Sequence, residues 1–146
     1  MIGRLRALAA LVLIAVSVIV LAGCSSDSGL PDGSSLDGTQ WRLTEWTLSS
    51  LNPADFTITA QFADGQVSGN SGVNTYSGSY QAGPGEAFSV GQIAATEMAG
   101  PEPAMRAESA YLTLLGQAKS FKAADGRLTL YDQGGNESLL FDAAGK

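Results

Sequence analysis

The chain predicts a mainly β fold: an antiparallel sheet, strongly curved or closed into a barrel, of about eight short strands with one α-helix from about Pro103 to Ala118. Three observations carry this. Apolar residues recur mostly with period two, as on half-buried strands. Turn-forming Gly, Pro, Asp and Asn punctuate the runs at short intervals. Only one stretch has helical spacing, and it comes late, which argues against the alternating helices of a parallel α/β fold. Closing the sheet would remove its edges, and eight strands leave an interior just wide enough to be filled by side chains or to hold one small ligand. The pattern leaves both open.

Residues 1–23 are expected to be an export signal. Arg4 and Arg6 form a basic start, and the 14 residues from Ala7 to Val20 are apolar except Ser17. A bilayer span takes about 20 such residues, so the stretch is too short for a permanent helix. It ends in Leu21-Ala22-Gly23-Cys24, which holds the only cysteine of the chain and resembles the bacterial lipobox. That resemblance implies a diacylglyceryl thioether on Cys24, cleavage before it, and acylation of the new amino group. Two acyl chains, at about 0.8 kcal/mol per buried CH₂, anchor stably where one is marginal. The alternative is an ordinary signal peptide with an incidental cysteine. Residues 24–35 then form the lipidated cysteine and a polar, turn-rich tether, with an end-to-end distance of about 18 Å as a flexible coil. The expected location is outside the cytoplasm, with a domain of residues 36–146 lipid-anchored to the cell membrane.

Within that domain, Trp41 and Leu43 alternate with Gln40, Arg42 and Thr44. Trp46 and Leu48 fall on the opposite parity, which predicts a bulge or bend near Glu45. Phe56, Ile58, Ala60 and Phe62 alternate with Thr57, Thr59 and Gln61, and Asp64-Gly65 supplies a tight turn into a short strand around Val67. Tyr76, Gly78 and Tyr80 share one face of the next strand. Gly83-Pro84-Gly85 ends it, and Phe88 and Val90 mark another.

In the helix, Ala104, Ala107, Tyr111, Leu114, Leu115 and Ala118 recur at spacings of three and four. Pro103 suits the first turn, where its missing N–H costs nothing, and Glu102 places a carboxylate by the positive end of the dipole. The one-sided stripe fits a helix lying against a sheet or closing the end of a barrel. Phe121, Leu128, Leu130, Leu139 and Phe141, separated by Asp125-Gly126 and Gly134-Gly135, read as a terminal meander.

Composition excludes several functions. The signal carries two of eight basic residues and none of fourteen acidic ones, so the exported chain has a charge of 6 minus 14, or −8. Nucleic acid is not an expected partner for such a chain. There is no histidine, which removes Ser-His-Asp and metal-histidine chemistry. With Cys24 acylated no thiol remains for a disulfide, a metal or nucleophilic catalysis. Glu97, Glu102 and Glu108 lie near the helix start, where a pair of acids could support glycoside hydrolysis; the favoured reading is a capping, solvated helix terminus. Residues 132–137 offer oxygens for Ca²⁺ without the alternating ligand spacing of a calcium loop, and a plain strand connection is favoured. Neither a cofactor nor a metal is expected, and the chain reads as not an enzyme.

Two blocks carry a family resemblance. The stretch Asp64-Gly65-Gln66-Val67-Ser68-Gly69-Asn70-Ser71-Gly72-Val73-Asn74-Thr75-Tyr76-Ser77-Gly78-Ser79-Tyr80 resembles the signature hairpin of the META domain, a family of HslJ-like bacterial lipoproteins. Ala95-Thr96-Glu97-Met98-Ala99-Gly100-Pro101, followed by a Glu-bearing helix and Leu128-Thr129-Leu130, is similar to the family's C-terminal half. The resemblance implies a lipocalin-like antiparallel barrel with one helix and links with stress and novobiocin resistance. Many members carry a cysteine before the hairpin Asn and another after the Met-Ala pair; here those places hold Val73 and Gly100. Their joint loss implies that the two positions are neighbours in space.

Candidate contact residues are Asn70, Asn74 and Tyr76, with Trp46 as a further one. Asn and Gly are also what tight turns require, so a structural role is the favoured reading of the hairpin cluster. The expected function is a non-catalytic, envelope-anchored protein acting by protein or small-molecule contacts in stress or antibiotic tolerance, with the membrane, through the lipid on Cys24, and an envelope protein or a small apolar ligand as expected partners. The alternative is a lipocalin-like carrier whose cavity is bounded by some of Trp46, Phe56, Ile58, Phe62 and Tyr80.

Overall fold

The computed structural model describes residues 35–47 and 50–145. The signal, Cys24, most of the tether and Leu48 lie outside them. Eight strands form one antiparallel sheet in the order β5-β4-β3-β2-β1-β8-β7-β6. They are β1 (Thr39–Trp46), β2 (Thr59–Ala63), β3 (Gln66–Asn70), β4 (Thr75–Ala82), β5 (Phe88–Ala95), β6 (Ser120–Ala124), β7 (Arg127–Tyr131) and β8 (Glu137–Ala143), with one α-helix among the described residues, α1 (Glu102–Gln117). The helix lies one residue earlier at each end than its apolar stripe predicts.

The sheet curls into a half-barrel. Its edge strands, β5 and β6, are consecutive in the chain and approach each other at one point, where the Phe88 N–H donates to the Lys119 carbonyl (2.9 Å) beside an Ala87–Ser120 bridge. α1 carries the chain from the far end of β5 back to that point. Its buried face is Ala107, Tyr111, Leu114 and Leu115, continued by Ala118 at the C-cap.

Two features of β1 and β2 follow from the chain's local chemistry. The register against β8 slips between Leu43 and Glu45, so Trp41, Leu43 and Trp46 all turn inward. The alternation that begins at Phe56 is not strand throughout: Pro53–Asp55 form a 3-10 turn capped by the Asn52 side chain, which accepts from the Ala54 N–H (3.1 Å). Ile58 accepts the Leu43 N–H (3.0 Å) and makes an isolated bridge to Ser71, and the continuous strand begins at Thr59. The Phe56 N–H is taken by the Pro53 carbonyl of that turn (3.1 Å), which keeps it out of the ladder. The β2–β3 turn is the one Asp64-Gly65 predicts, with φ of 52° and 72°.

Side chains occupy the space the curl encloses. Ile58, Phe62, Tyr111, Phe121 and Phe141 are fully buried. Edge-on ring contacts run Phe62–Phe88–Phe121 with centroids 6.1 and 6.2 Å apart, and Tyr111 meets Phe141 at 6.4 Å. Each such side chain withdrawn from water stabilises the fold by about 1.5–3 kcal/mol. Of the residues proposed to bound a carrier cavity, Trp46, Ile58 and Phe62 belong to this packed core, while Phe56 and Tyr80 are half-buried against it.

Candidate functional site

The signature hairpin joins β3 to β4 through residues 71–74. Asn70 Oδ1 accepts the Gly72 N–H (2.8 Å), and the Ser71 N–H donates to the Asn74 carbonyl (2.8 Å). The turn so formed aims three donors at one carboxylate. Ser71 Oγ donates to Glu108 Oε2 (2.6 Å), the Asn74 backbone N–H donates to the same oxygen (2.8 Å), and Asn74 Nδ2 donates to Oε1 (2.8 Å).

Glu108 is 8% exposed and has no ion-pair partner among the described residues. Burial alone would raise its pKa. The Ser71 hydroxyl, the Asn74 side chain and the backbone N–H groups of Asn74 and Val73 outweigh that and hold it below the ordinary glutamate value. The group is therefore an ionised carboxylate solvated by protein donors.

Asn74, 1% exposed, has every polar valence filled. Its second Nδ2 proton goes to the Met98 carbonyl (3.2 Å), and Oδ1 accepts from the Met98 N–H (2.7 Å) and from Thr96 Oγ1 (2.9 Å). These partners also fix which way the amide faces, because a carboxylate and a carbonyl on one side and an N–H on the other admit no flip. One asparagine thus ties the hairpin, α1 and the loop 96–101 together.

Below this cluster, Tyr76 donates to the Thr59 carbonyl (2.9 Å), so Tyr111 must donate to the Tyr76 oxygen (2.6 Å). Burial raises the pKa of both phenols, and both stay neutral. Trp46 points into the core and gives its indole N–H to the Leu51 carbonyl (2.7 Å). Of the residues singled out from sequence, Asn74, Tyr76 and Trp46 are therefore buried and hydrogen-bonded, and Asn70 is half-buried.

Above the cluster lies an open groove of about 650 Å³ whose lining includes Phe56, Val73, Met98, Gly100 and Pro101. Met98 is 58% exposed and stands out as the exposed large hydrophobic side chain among the described residues. A β-carbon built on Gly100 would lie 3.4 Å from Val73 Cβ and 2.8 Å from both of its methyl groups. The two positions are neighbours, as their correlated lack of cysteine implies.

A family model, META domain, matches residues 34–145. The chain belongs to the META-domain family. Solved structures similar to this META domain include an NMR structure of a protein from Burkholderia xenovorans, 28% identical, with a TM-score of 0.64 over 84% of this chain and 97% of that one. A DUF4847 family protein from Bacteroides vulgatus is 14% identical, with a TM-score of 0.55 over 76% of this chain and 96% of that one, and shows the fold alone. No curated protein matches. None of these descriptions states an activity.

Two readings of the acidic residues need correction. Glu108 is not part of a solvated helix terminus; it is the buried anchor of the META hairpin. Nor does it form an acid pair, since its oxygens are occupied by the hairpin, while Glu97 is exposed and Glu102 sits 3.8 Å from exposed Arg106. The sequence does carry a signal for Glu108: Ala104, Glu108, Tyr111 and Leu115 follow helical spacing and share one face. In the β7–β8 connection, Asp132 spends its oxygens on its own loop, accepting the Gly134 and Asn136 N–H groups and the Asn136 side chain. Among the described residues no group of three or more His, Cys, Asp or Glu is placed to hold a metal ion.

Proposed function

We propose that this META-domain chain is a non-catalytic, envelope-anchored lipoprotein that works by binding, with the groove around Met98 as its protein-contact face and stress or antibiotic tolerance as its setting. One observation carries the reading. The Asn74 side chain, itself held by Glu108, pins both backbone groups of Met98, while the apolar side chain of Met98 is held out in water. An exposed apolar side chain on a rigidly held loop suits recognition better than chemistry.

Metabolic labelling with palmitate tests the anchor: the label is expected on the full chain and absent from Cys24→Ser, and a labelled Cys24→Ser would overturn it. A photo-crosslinking residue at position 98, expressed in the host, tests the contact face. The expected result is a discrete protein adduct that Phe56→Glu on the opposite wall abolishes and that is not formed from exposed position 122 on β6. Equal labelling from both positions would sink the contact reading, and growth of a strain lacking the chain under envelope stress reports the setting.

A further inference from the structure

A second groove, of about 800 Å³, opens at the other end of β4, where the half-barrel edges meet. Its wall and floor are apolar and aromatic. Leu36 and Phe88 are buried beneath it and Tyr80 is half-buried. The Tyr80 and Phe88 rings lie 6.3 Å apart at 29°, nearly parallel, and Tyr80 packs edge-on against Phe62 at 4.8 Å. The Tyr80 hydroxyl makes no hydrogen bond to a described residue.

The rim carries negative charge only. Asp37 and Asp64 line the groove, and no lysine or arginine does. The Asp64 N–H donates to Asp37 Oδ1 (2.7 Å), which holds the two residues side by side. Neither carboxylate is ion-paired among the described residues. The Asp37 charge reaches the aromatic wall, since the Tyr80 phenol is pushed up by burial and then by that charge.

An apolar groove lined by aromatic side chains and rimmed by uncompensated carboxylates is complementary to one kind of small ligand. A cation is attracted to ring faces and to carboxylates alike, whereas an anion is repelled by both. We infer that the mouth groove binds a small organic ammonium ion, its apolar body against Tyr80 and Phe88 and its charged head beside Asp37 and Asp64. The site does not depend on the Met98 face, which lies at the opposite end of β4, so either can fail without the other.

The test is backbone-amide NMR of the full chain in a non-ionic maltoside detergent, titrated with benzyltrimethylammonium. Saturable shifts are expected at Asp37, Gly65, Gln81 and Ser89, with none there from benzenesulfonate or benzyl alcohol. The double variant Asp37→Asn with Asp64→Asn should bind about ten-fold more weakly. Both amides preserve the local structure, because the amide oxygen introduced at position 37 still accepts the Asp64 N–H and asparagine tolerates the φ of 52° at position 64. Tyr80→Leu keeps the charges and removes the ring, and should also weaken binding. An equal response to benzyl alcohol would make this a plain apolar site, and an equal response to benzenesulfonate would remove the charge argument. Unchanged affinity in both variants, or no saturable shift up to about 10 mM, a concentration corresponding to only about 3 kcal/mol of binding, would also overturn the inference.

Discussion

At the start of β4 the Glu108 carboxylate is withdrawn from water and met by a hydroxyl, a side-chain amide and a backbone N–H, whereas at the end of β4 Asp37 and Asp64 stand exposed with one backbone N–H between them. The same charge therefore does different work. A buried carboxylate is tolerable only with its donors in place, so it enforces one arrangement of hairpin, helix and loop. Exposed carboxylates enforce nothing locally and keep their attraction for a cation available to a ligand.

Replacing Glu108 should break the comparison most severely. Glu108→Ala leaves the donors of Ser71 and Asn74 buried without an acceptor and should cost about 3 kcal/mol in urea unfolding; a loss under about 1 kcal/mol would show that water reaches the cluster freely. The sign of the pH effect follows from the lowered pKa. The folded-state value lies below the ordinary 4.5, so the stabilisation is complete above that value and is lost as pH falls through the folded pKa. Glu108→Gln should flatten the acid limb of the stability curve relative to the natural chain.

A smaller effect of opposite sign is expected where the loop 96–101 meets the hairpin. Val73→Cys with Gly100→Cys places two thiols on positions whose β-carbons are 3.4 Å apart, close to the spacing a disulfide needs. Oxidation should raise stability by about 2–3 kcal/mol over the reduced form. Failure to oxidise would mean that the pins from Asn74 to Met98 do not hold the loop there.

The smallest effect belongs to the mouth. Asp37→Asn should change unfolding stability by less than about 0.5 kcal/mol, because the new amide oxygen still accepts the Asp64 N–H and surface changes of this kind are nearly neutral. A loss comparable with that of Glu108→Ala would mean that the two ends do not differ as argued.

Much of this fold was legible residue by residue. Period-two alternation located the inward-facing Trp41, Leu43, Phe62, Phe121, Leu128 and Phe141, and the parity change after Leu43 marked a real bulge. The β2–β3 turn and the Asp125-Gly126 turn, with φ of 53° and 76°, were readable because their backbone conformations demand those residue types. Alternation from Phe56 misled only in length, because the capped turn after Asn52 takes the Phe56 N–H. The hairpin asparagines stood out as a cluster, yet Glu108, the partner of Asn74, did not, since a lone Glu on an apolar helix face also reads as a solvated helix end.

The sequence by itself determined the strands, their turns, α1 and the META signature, because each rests on neighbours within a few positions along the chain. Only the tertiary structure decided that Glu108 stays ionised inside the protein and that the two grooves lie at opposite ends of β4. The donors that solvate Glu108 lie 34 and 37 positions away along the chain. Which polar groups a folded chain brings within about 3 Å depends on how its sheet curls, and that is set by packing of the whole core rather than by any local pattern.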